Sequence, residues 1–378
     1  MPRSALALGA LLVIAAPLPA QIVRGRVVDL ATGGALPGAH VVLVDTSGHD
    51  GASALTSDDG RFAIRAPDAG RYIVRVQRIG YSSTRSDPIQ LGAQETIEQQ
   101  IAAPSISVRL DAITVNERAR CSTGNSGGDV ATVWEEVRKA LSAATLTRNQ
   151  QLVKYTLRHF ERDLDASGRG VKSEKTWENN SFGKNTFSSI NADFLAEHGY
   201  AKTIDNDTFY FAPDADVLLL PSFLEHHCMK LRMAKSDSGN FVGLGFVPTR
   251  NDVTEVEGEL WVDRQTSELR RLEFRYTGLP VRSRGADFGG RVEYLRLPTG
   301  AWIVRDWVLR MPVVATGPPQ PPTQGYGLSS PNDDRRRMTL VAVREEGGSV
   351  LESRSLNGTV LYQSPTATSA PAAASPPR

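Results

Sequence analysis

Apolar positions in the first hundred residues recur with a period of two. Ile22-Val23 and Val27-Val28 flank Gly25, Val41 to Val44 is continuous, Phe62 alternates with Ile64, and Tyr72, Val74 and Val76 alternate with polar residues. This spacing sends one side of each run to a core and the other to solvent, as strands of a half-buried sheet require. Between the runs lie Thr32-Gly33-Gly34, Leu36-Pro37-Gly38, Asp58-Asp59-Gly60 and Asp68-Ala69-Gly70. These are turn formers, because Gly reaches positive φ and Asp bonds its neighbouring backbone. Short strands at near-regular spacing predict an antiparallel β-sandwich over residues 21–103. The polar, Gly-rich stretch that ends the interval 104–128 reads as a linker.

The period then changes. Val130, Val133, Trp134, Val137, Leu141 and Ala144 recur at helical spacing behind Asp129, a capping residue, with Glu135, Glu136, Arg138 and Lys139 on the other face. The pattern predicts an amphipathic helix lying on a sheet, its charged face in water. Strand patterns follow over Leu152 to Arg162, Val171 to Trp177, Gly258 to Asp263, Leu272 to Tyr276, Val292 to Tyr294 and Trp302 to Met311. Met338 to Val343 and Val350 to Leu361 read as a last hairpin around Glu345-Glu346-Gly347-Gly348. Glu273, Arg275, Arg291, Glu293 and Arg305 alternate with apolar residues and are expected on the solvated face of an antiparallel sheet. The expected fold is mainly β: an N-terminal β-sandwich, then a second domain over 129–363 with an antiparallel curved sheet packed on at least one helix. A Pro-rich loop is expected at 317–334. Residues 364–378, rich in Ala, Pro, Ser and Thr, hold no core formers and are expected to be disordered.

Composition narrows the partners. The chain has 378 residues and a formal net charge of +1, so it lacks the basic surplus that releases counterions from nucleic acid. Residues 1–20 carry Arg3, an apolar run from Ala5 to Ala16, and Pro17-Leu18-Pro19-Ala20. This is the pattern of a secretory signal peptide cut after Ala20, and its apolar run is short for a membrane span. The expected location is therefore periplasmic or extracellular. No Cys lies near the cut, which disfavours a lipoprotein. Cys121 and Cys228 are the two cysteines of the chain. In an oxidising compartment they are expected to form a disulfide, worth up to ~4.7 kcal/mol for a loop of about a hundred residues in the chain-entropy model.

Several residues carry resemblances. Gly25 with Asp29, Thr32-Gly33, Leu36-Pro37-Gly38-Ala39 with Val41, Asp59-Gly60-Arg61-Phe62, Gly70-Arg71-Tyr72 and Ile79-Gly80-Tyr81 resemble the carboxypeptidase regulatory-like domain, a transthyretin-like β-sandwich. The resemblance implies an accessory fold in an extracytoplasmic setting, with no catalytic residues of its own. Leu110 to Val115 resembles the segment that follows this module in TonB-dependent receptors, and also reads as a plain edge strand or linker. The helix followed by a long meander, with the hairpin from Glu259 to Phe274, is similar in architecture to the lipoprotein-carrier fold. That likeness implies a sheet face able to shelter an acyl chain. Trp261, Phe274, Tyr276 and Trp302 are the candidate apolar face.

Other chemistry is thinly represented. Gly124-Asn125-Ser126-Gly127-Gly128 resembles the nucleophile loop of trypsin-like proteases, but Asn departs from that pattern and the His order is wrong. His226-His227-Cys228 would send adjacent side chains to opposite faces of a strand, which does not build a metal site. Gly243-Leu244-Gly245-Phe246 matches the carboxylate loop of PDZ domains without the rest of that domain. No phosphate loop is present. No cofactor, metal ligand or catalytic residue is assigned. The expectation is a cell-envelope binding or interaction protein, with an envelope protein or an apolar or lipid ligand as its partner and peripheral outer-membrane association. An envelope hydrolase and a component of an outer-membrane transport assembly are the alternatives.

Overall fold

In the computed structural model, residues 21–105, 128–182, 186–204, 207–233, 240–279, 281, 287–316 and 338–365 are described. The signal sequence, Leu110 to Val115, Cys121, Ser126, the Pro-rich loop 317–334 and residues 366–378 lie outside them.

The first unit is a two-sheet sandwich. β1 (Ile22–Asp29) sits between β4 (Arg61–Arg65) and β8 (Thr96–Ala103). The facing sheet runs β3 (Asp50–Leu55), β2 (His40–Val44), β5 (Gly70–Gln77), β6 (Thr84–Arg85), with β7 (Ile89–Leu91) also on β5. Val23, Val27, Val41, Leu43, Phe62, Ile64, Val74 and Val76 fill the space between the sheets. One pairing differs from the expected antiparallel pattern: β1 and β8 run parallel. The elements between them carry the chain back to the same end, so β8 enters in the direction of β1.

The second unit is a helix on a large sheet. α1 (Gly128–Asn149) precedes β9 (Val153–Leu164) and β10 (Val171–Phe182). Then come α2 (Ala192–His198), the hairpin β11 (Ala201–Ile204) and β12 (Asp207–Tyr210), α3 (Ala215–Leu219) and α4 (Pro221–His226). A meander follows: β13 (His227–Met233), β14 (Phe241–Pro248), β15 (Glu255–Asp263), β16 (Leu269–Thr277), β17 (Gly289–Arg296), β18 (Trp302–Thr316), β19 (Met338–Ser355) and β20 (Val360–Gln363). The sheet order is β10-β9-β19-β18-β17-β16-β15-β14-β13, with β20 on β19. All of its pairings are antiparallel. Val133, Val137, Ala140 and Leu141 of α1 pack on Leu244, Leu260, Leu272 and Val292, which define the inner face of the sheet. The opposite, outer face carries an ion-pair ladder, including Arg275–Glu257, Arg271–Glu273, Arg291–Glu293 and Arg305–Glu293. This is the solvated face that the alternation implies.

Two expectations are corrected. Glu345 to Gly348 form no turn, because β19 is one strand of 18 residues. Its glycines are required by neighbours instead: a Cβ on Gly347 would lie 2.4 Å from the Phe160 ring and one on Gly348 2.7 Å from Trp307 Nε1. Cys228 is disulfide-bonded, and Cys121 lies outside the described residues. Secondly, the charged face of α1 is not in water. Glu136 and Lys139 are 2% and 4% exposed.

The first unit covers them. Lys139 Nζ bonds Glu136 Oε1 at 2.6 Å and donates to the Tyr81 carbonyl at 2.7 Å, while the Gly80 N–H donates to Glu136 Oε2 at 3.0 Å. Burial pushes the Glu136 carboxyl up and Lys139 opposes that shift. Tyr81 is fixed in turn by its hydroxyl donating to Asp29 Oδ2 at 2.9 Å, and Asp29 also accepts the N–H groups of Ala31 and Thr32. The turns at Gly38 and Gly300 meet backbone to backbone. Both have positive φ, and a Cβ on Gly38 would lie 2.4 Å from the Gly300 Cα. Leu55 of the sandwich joins the small core of Val153, Leu157, Ile303 and Val350.

A buried ion pair that loses one member leaves an uncompensated charge, at about 3–5 kcal/mol. Lys139→Met should therefore destabilise the intact chain by about that amount in chemical denaturation. Adding Glu136→Leu should recover most of the loss. An unchanged midpoint for the single variant would show that the pair does not hold the units together.

Candidate functional site

Cross-strand partners share a face of the sheet, so the register places side chains in rows. One row on the inner face runs Leu272, Val292, Trp307, Gly348, His159, Trp177 across β16, β17, β18, β19, β9 and β10. A second row runs Phe274, Gly290, Leu309, Glu346, Glu161, Lys175. Under α1 both rows are apolar core. Beyond it, over β18, β19, β9 and β10, one becomes aromatic and the other charged.

The aromatic row is a connected cluster. The His159 and Trp177 rings stack at 5.5 Å, and His159 meets Trp307 edge-on at 6.5 Å. Gly348 lies between them and lets the Trp307 ring reach across its backbone. Trp307 Nε1 donates to the Thr186 carbonyl at 2.8 Å, and the Phe187 ring packs on it at 5.4 Å. Trp177, His159 and Trp307 remain partly open to solvent. Partial burial lowers the pKa of His159.

Beside this cluster is a cleft of about 430 Å³ between the β11–β12 hairpin and the β18–β19 pair. Tyr210 and Phe211 form one wall; Met311, Val313, Arg344 and Glu346 form the other. The volume lies within the range of small-ligand sites, which combine apolar walls with a few convergent polar groups. Burial pushes the Glu346 carboxyl up, Glu161 adds to the shift and Arg344 opposes it. The Tyr210 and Tyr276 rings pack at 5.4 Å, and neither hydroxyl has a hydrogen-bond partner. Tyr276 is buried in the core behind Tyr210, which lines the cleft. Unpaired buried hydroxyls are uncommon and are costly.

The four residues picked from the sequence divide. Phe274, Tyr276 and Trp302 lie on the inner face at 6%, 5% and 3% exposure, inside the core under the helices. Trp261 lies on the outer face opposite Arg271, its Nε1 donating to Glu273 Oε2 at 2.9 Å. Tyr276 is the one that approaches the cleft. Glu346, Trp177, Trp307 and His159 were not singled out in the sequence. Their signal is weak, because the row exists only through pairing of strands far apart in the chain. His227 is buried, with Nδ1 2.8 Å from the Phe223 carbonyl and Nε2 3.1 Å from that of Val256. Leu244 and Phe246 of the Gly-Leu-Gly-Phe run are core. Among the described residues no three His, Cys, Asp or Glu side chains gather as metal ligands, and no helix is long and apolar enough to cross a membrane.

Residues 22–104 match the family described as the carboxypeptidase regulatory-like domain, which places the first unit in the class the turn pattern implied. No curated protein matches the chain. Among solved structures the chain is similar to the group B streptococcus pilus 2b backbone protein, at 14% identity over 23% of this chain and 42% of that one, with a TM-score of 0.19. It is similar to BcpA, the major pilin subunit of Bacillus cereus, at 16% identity over 23% and 31%, TM-score 0.19. A DUF3823 family protein from Bacteroides uniformis matches at 15% identity over 62% of this chain and 93% of that one, TM-score 0.19. The chain thus spans less than half the length of the two pilus proteins. The second unit has the expected antiparallel sheet with helices on one face, an architecture that is not specific to the lipoprotein-carrier fold.

The raised pKa of Glu346 gives a pH test. Above about pH 4.5, its ordinary value, the folded chain holds this proton more firmly than the unfolded chain, so stability falls as pH rises through the folded pKa. Glu346→Gln removes that component. The stability difference between Glu346→Gln and the native chain should therefore move in the variant's favour as pH rises from about 4 to about 8, read as melting temperature across the series. A difference that is flat with pH would place Glu346 in a solvated setting.

Proposed function

We propose that the chain is an extracytoplasmic binding protein. Its second unit takes a polar ligand into the cleft between the β11–β12 hairpin and β18–β19, and its first unit is a rigid brace with no chemistry of its own. The observation that carries this is an open cleft of about 430 Å³ with Arg344 and Glu346 on one wall and Tyr210 and Phe211 on the other. A ligand bearing hydroxyl or amine groups exchanges hydrogen bonds with these charged groups while its apolar parts pack on the rings. The signal pattern of residues 1–20 and the family of the first unit support export and an envelope setting. Shelter of an acyl chain is supported less well. Phe274, Tyr276 and Trp302, the residues suited to it, are already covered by protein.

The test is native mass spectrometry of the mature chain purified from its own cell envelope. Extra mass that leaves on denaturation is the expected result. Val313→Trp, a half-buried position on the cleft wall, should lose that mass at an unchanged melting temperature. A native chain carrying no ligand, or a variant retaining it in full, would overturn the reading.

A further inference from the structure

The aromatic row reaches beyond the cleft, and its position bears on what kind of ligand the cleft receives. Trp177 and Trp307 are three strands apart, which is about 14 Å at the usual strand spacing. The charged row of Glu346, Glu161 and Lys175 runs beside it two residues along each strand, about 7 Å away. Glu346 belongs to both features: it lines the cleft, and it is two residues from Gly348 on the same face of β19. The cleft and the aromatic row are therefore continuous.

An acyl chain does not suit this surface, because Glu346, Glu161 and Lys175 flank the row over β19, β9 and β10 and would lose hydration without a partner. A linked series of pyranose rings does suit it. Each ring has an apolar C–H face that packs on an aromatic side chain, and a rim of hydroxyls that exchanges hydrogen bonds with carboxylates, ammonium groups and phenols. The half-open Trp177, His159 and Trp307 supply the first. Glu346, Glu161 and Lys175 supply the second.

We infer that the ligand is an oligosaccharide, with one end in the cleft between Glu346 and the wall of Tyr210 and Phe211 and the following rings along Trp307, His159 and Trp177. This rests on the cleft being the binding site, as proposed above. Trp307 is held in place by Thr186 and Phe187, whereas Trp177 sits on the edge strand and is the outermost contact. Affinity should thus grow with chain length until Trp177 is reached.

The experiment titrates the full mature chain with di- and hexasaccharides of β-1,4-linked glucose, β-1,4-linked N-acetylglucosamine and α-1,4-linked glucose, by calorimetry and tryptophan fluorescence. At least one series should bind, the hexasaccharide at least tenfold tighter than the disaccharide. Trp177→Ala should abolish that length dependence and leave the disaccharide unchanged. Trp177→Phe should restore it in part, and Trp261→Ala, on the outer face, should have no effect. Absence of binding across the panel, or a length dependence indifferent to Trp177→Ala, overturns the oligosaccharide inference. If mass spectrometry still shows a cleft ligand that is not a carbohydrate, only this inference falls. If neither assay finds a ligand, the cleft reading falls with it.

Discussion

Two charges on one turn of α1 decide how this chain is assembled. Glu136 and Lys139 are three residues apart, so they meet on the helix surface, and there they would ordinarily be a weak solvated pair. The sandwich removes them from water. That step is tolerable only because it also supplies the missing partners, the Gly80 N–H and the Tyr81 carbonyl. The desolvation penalty and the hydrogen bonds are therefore incurred together, by the same contact. Away from that contact the pair is a surface feature; within it, removal of either charge strands the other. The loop that makes the contact is itself held by Asp29 through Tyr81, so the turn residues that define the first unit's family also set the geometry of its docking.

The large sheet uses period-two alternation for three purposes. Its outer face is an ion-pair ladder. Its inner face is core wherever α1 to α4 cover it. Past the helices the same rows continue, and their composition changes from Leu, Val and Phe to Trp, His, Glu and Lys. Glycine marks the change. Gly290 lets Phe274 and Leu309 close over the backbone inside the core, and Gly348 lets Trp307 lie toward His159 outside it. A Cβ at Gly348 would displace that ring and interrupt the row.

Much of this was legible in the sequence and some was not, for physical reasons. Turn chemistry and alternation gave the sandwich, because Gly33, Gly38 and Gly60 each adopt the positive φ that their type predicts. Helical spacing gave the apolar stripe of α1, and alternation gave the outer charges of β16 and β17. Glu136 and Lys139 were misread as solvated because their partners lie more than fifty residues away and are backbone atoms, which carry no sequence signal. Gly347-Gly348 was misread as a turn because Gly also serves close packing within strands. Trp261 was assigned to the wrong company by parity: it stands opposite Arg271, while its neighbours Leu260 and Val262 face the core. A face is fixed by register, and one residue of register reverses it. The cleft was invisible because it needs a hairpin and two strands from widely separated segments.

The brace and the site are joined through α1. Its first half holds the sandwich by Glu136 and Lys139. Its last turns hold α3: Thr145 donates to Asp216 at 3.0 Å and Arg148 pairs with the same carboxylate. Asp214, which caps α3, accepts the Ser189 N–H at 2.8 Å and so fixes the segment whose Thr186 and Phe187 orient Trp307. The hairpin wall of the cleft enters α3 directly through Phe211 and Ala212. A displacement of the sandwich therefore acts on the cleft through α1. Most contacts along that path are hydrogen bonds or ion pairs with a buried or half-buried member. The arrangement favours a ligand surface held in a fixed shape over one that forms as its ligand arrives. Most of the ordering cost of binding is then met during folding.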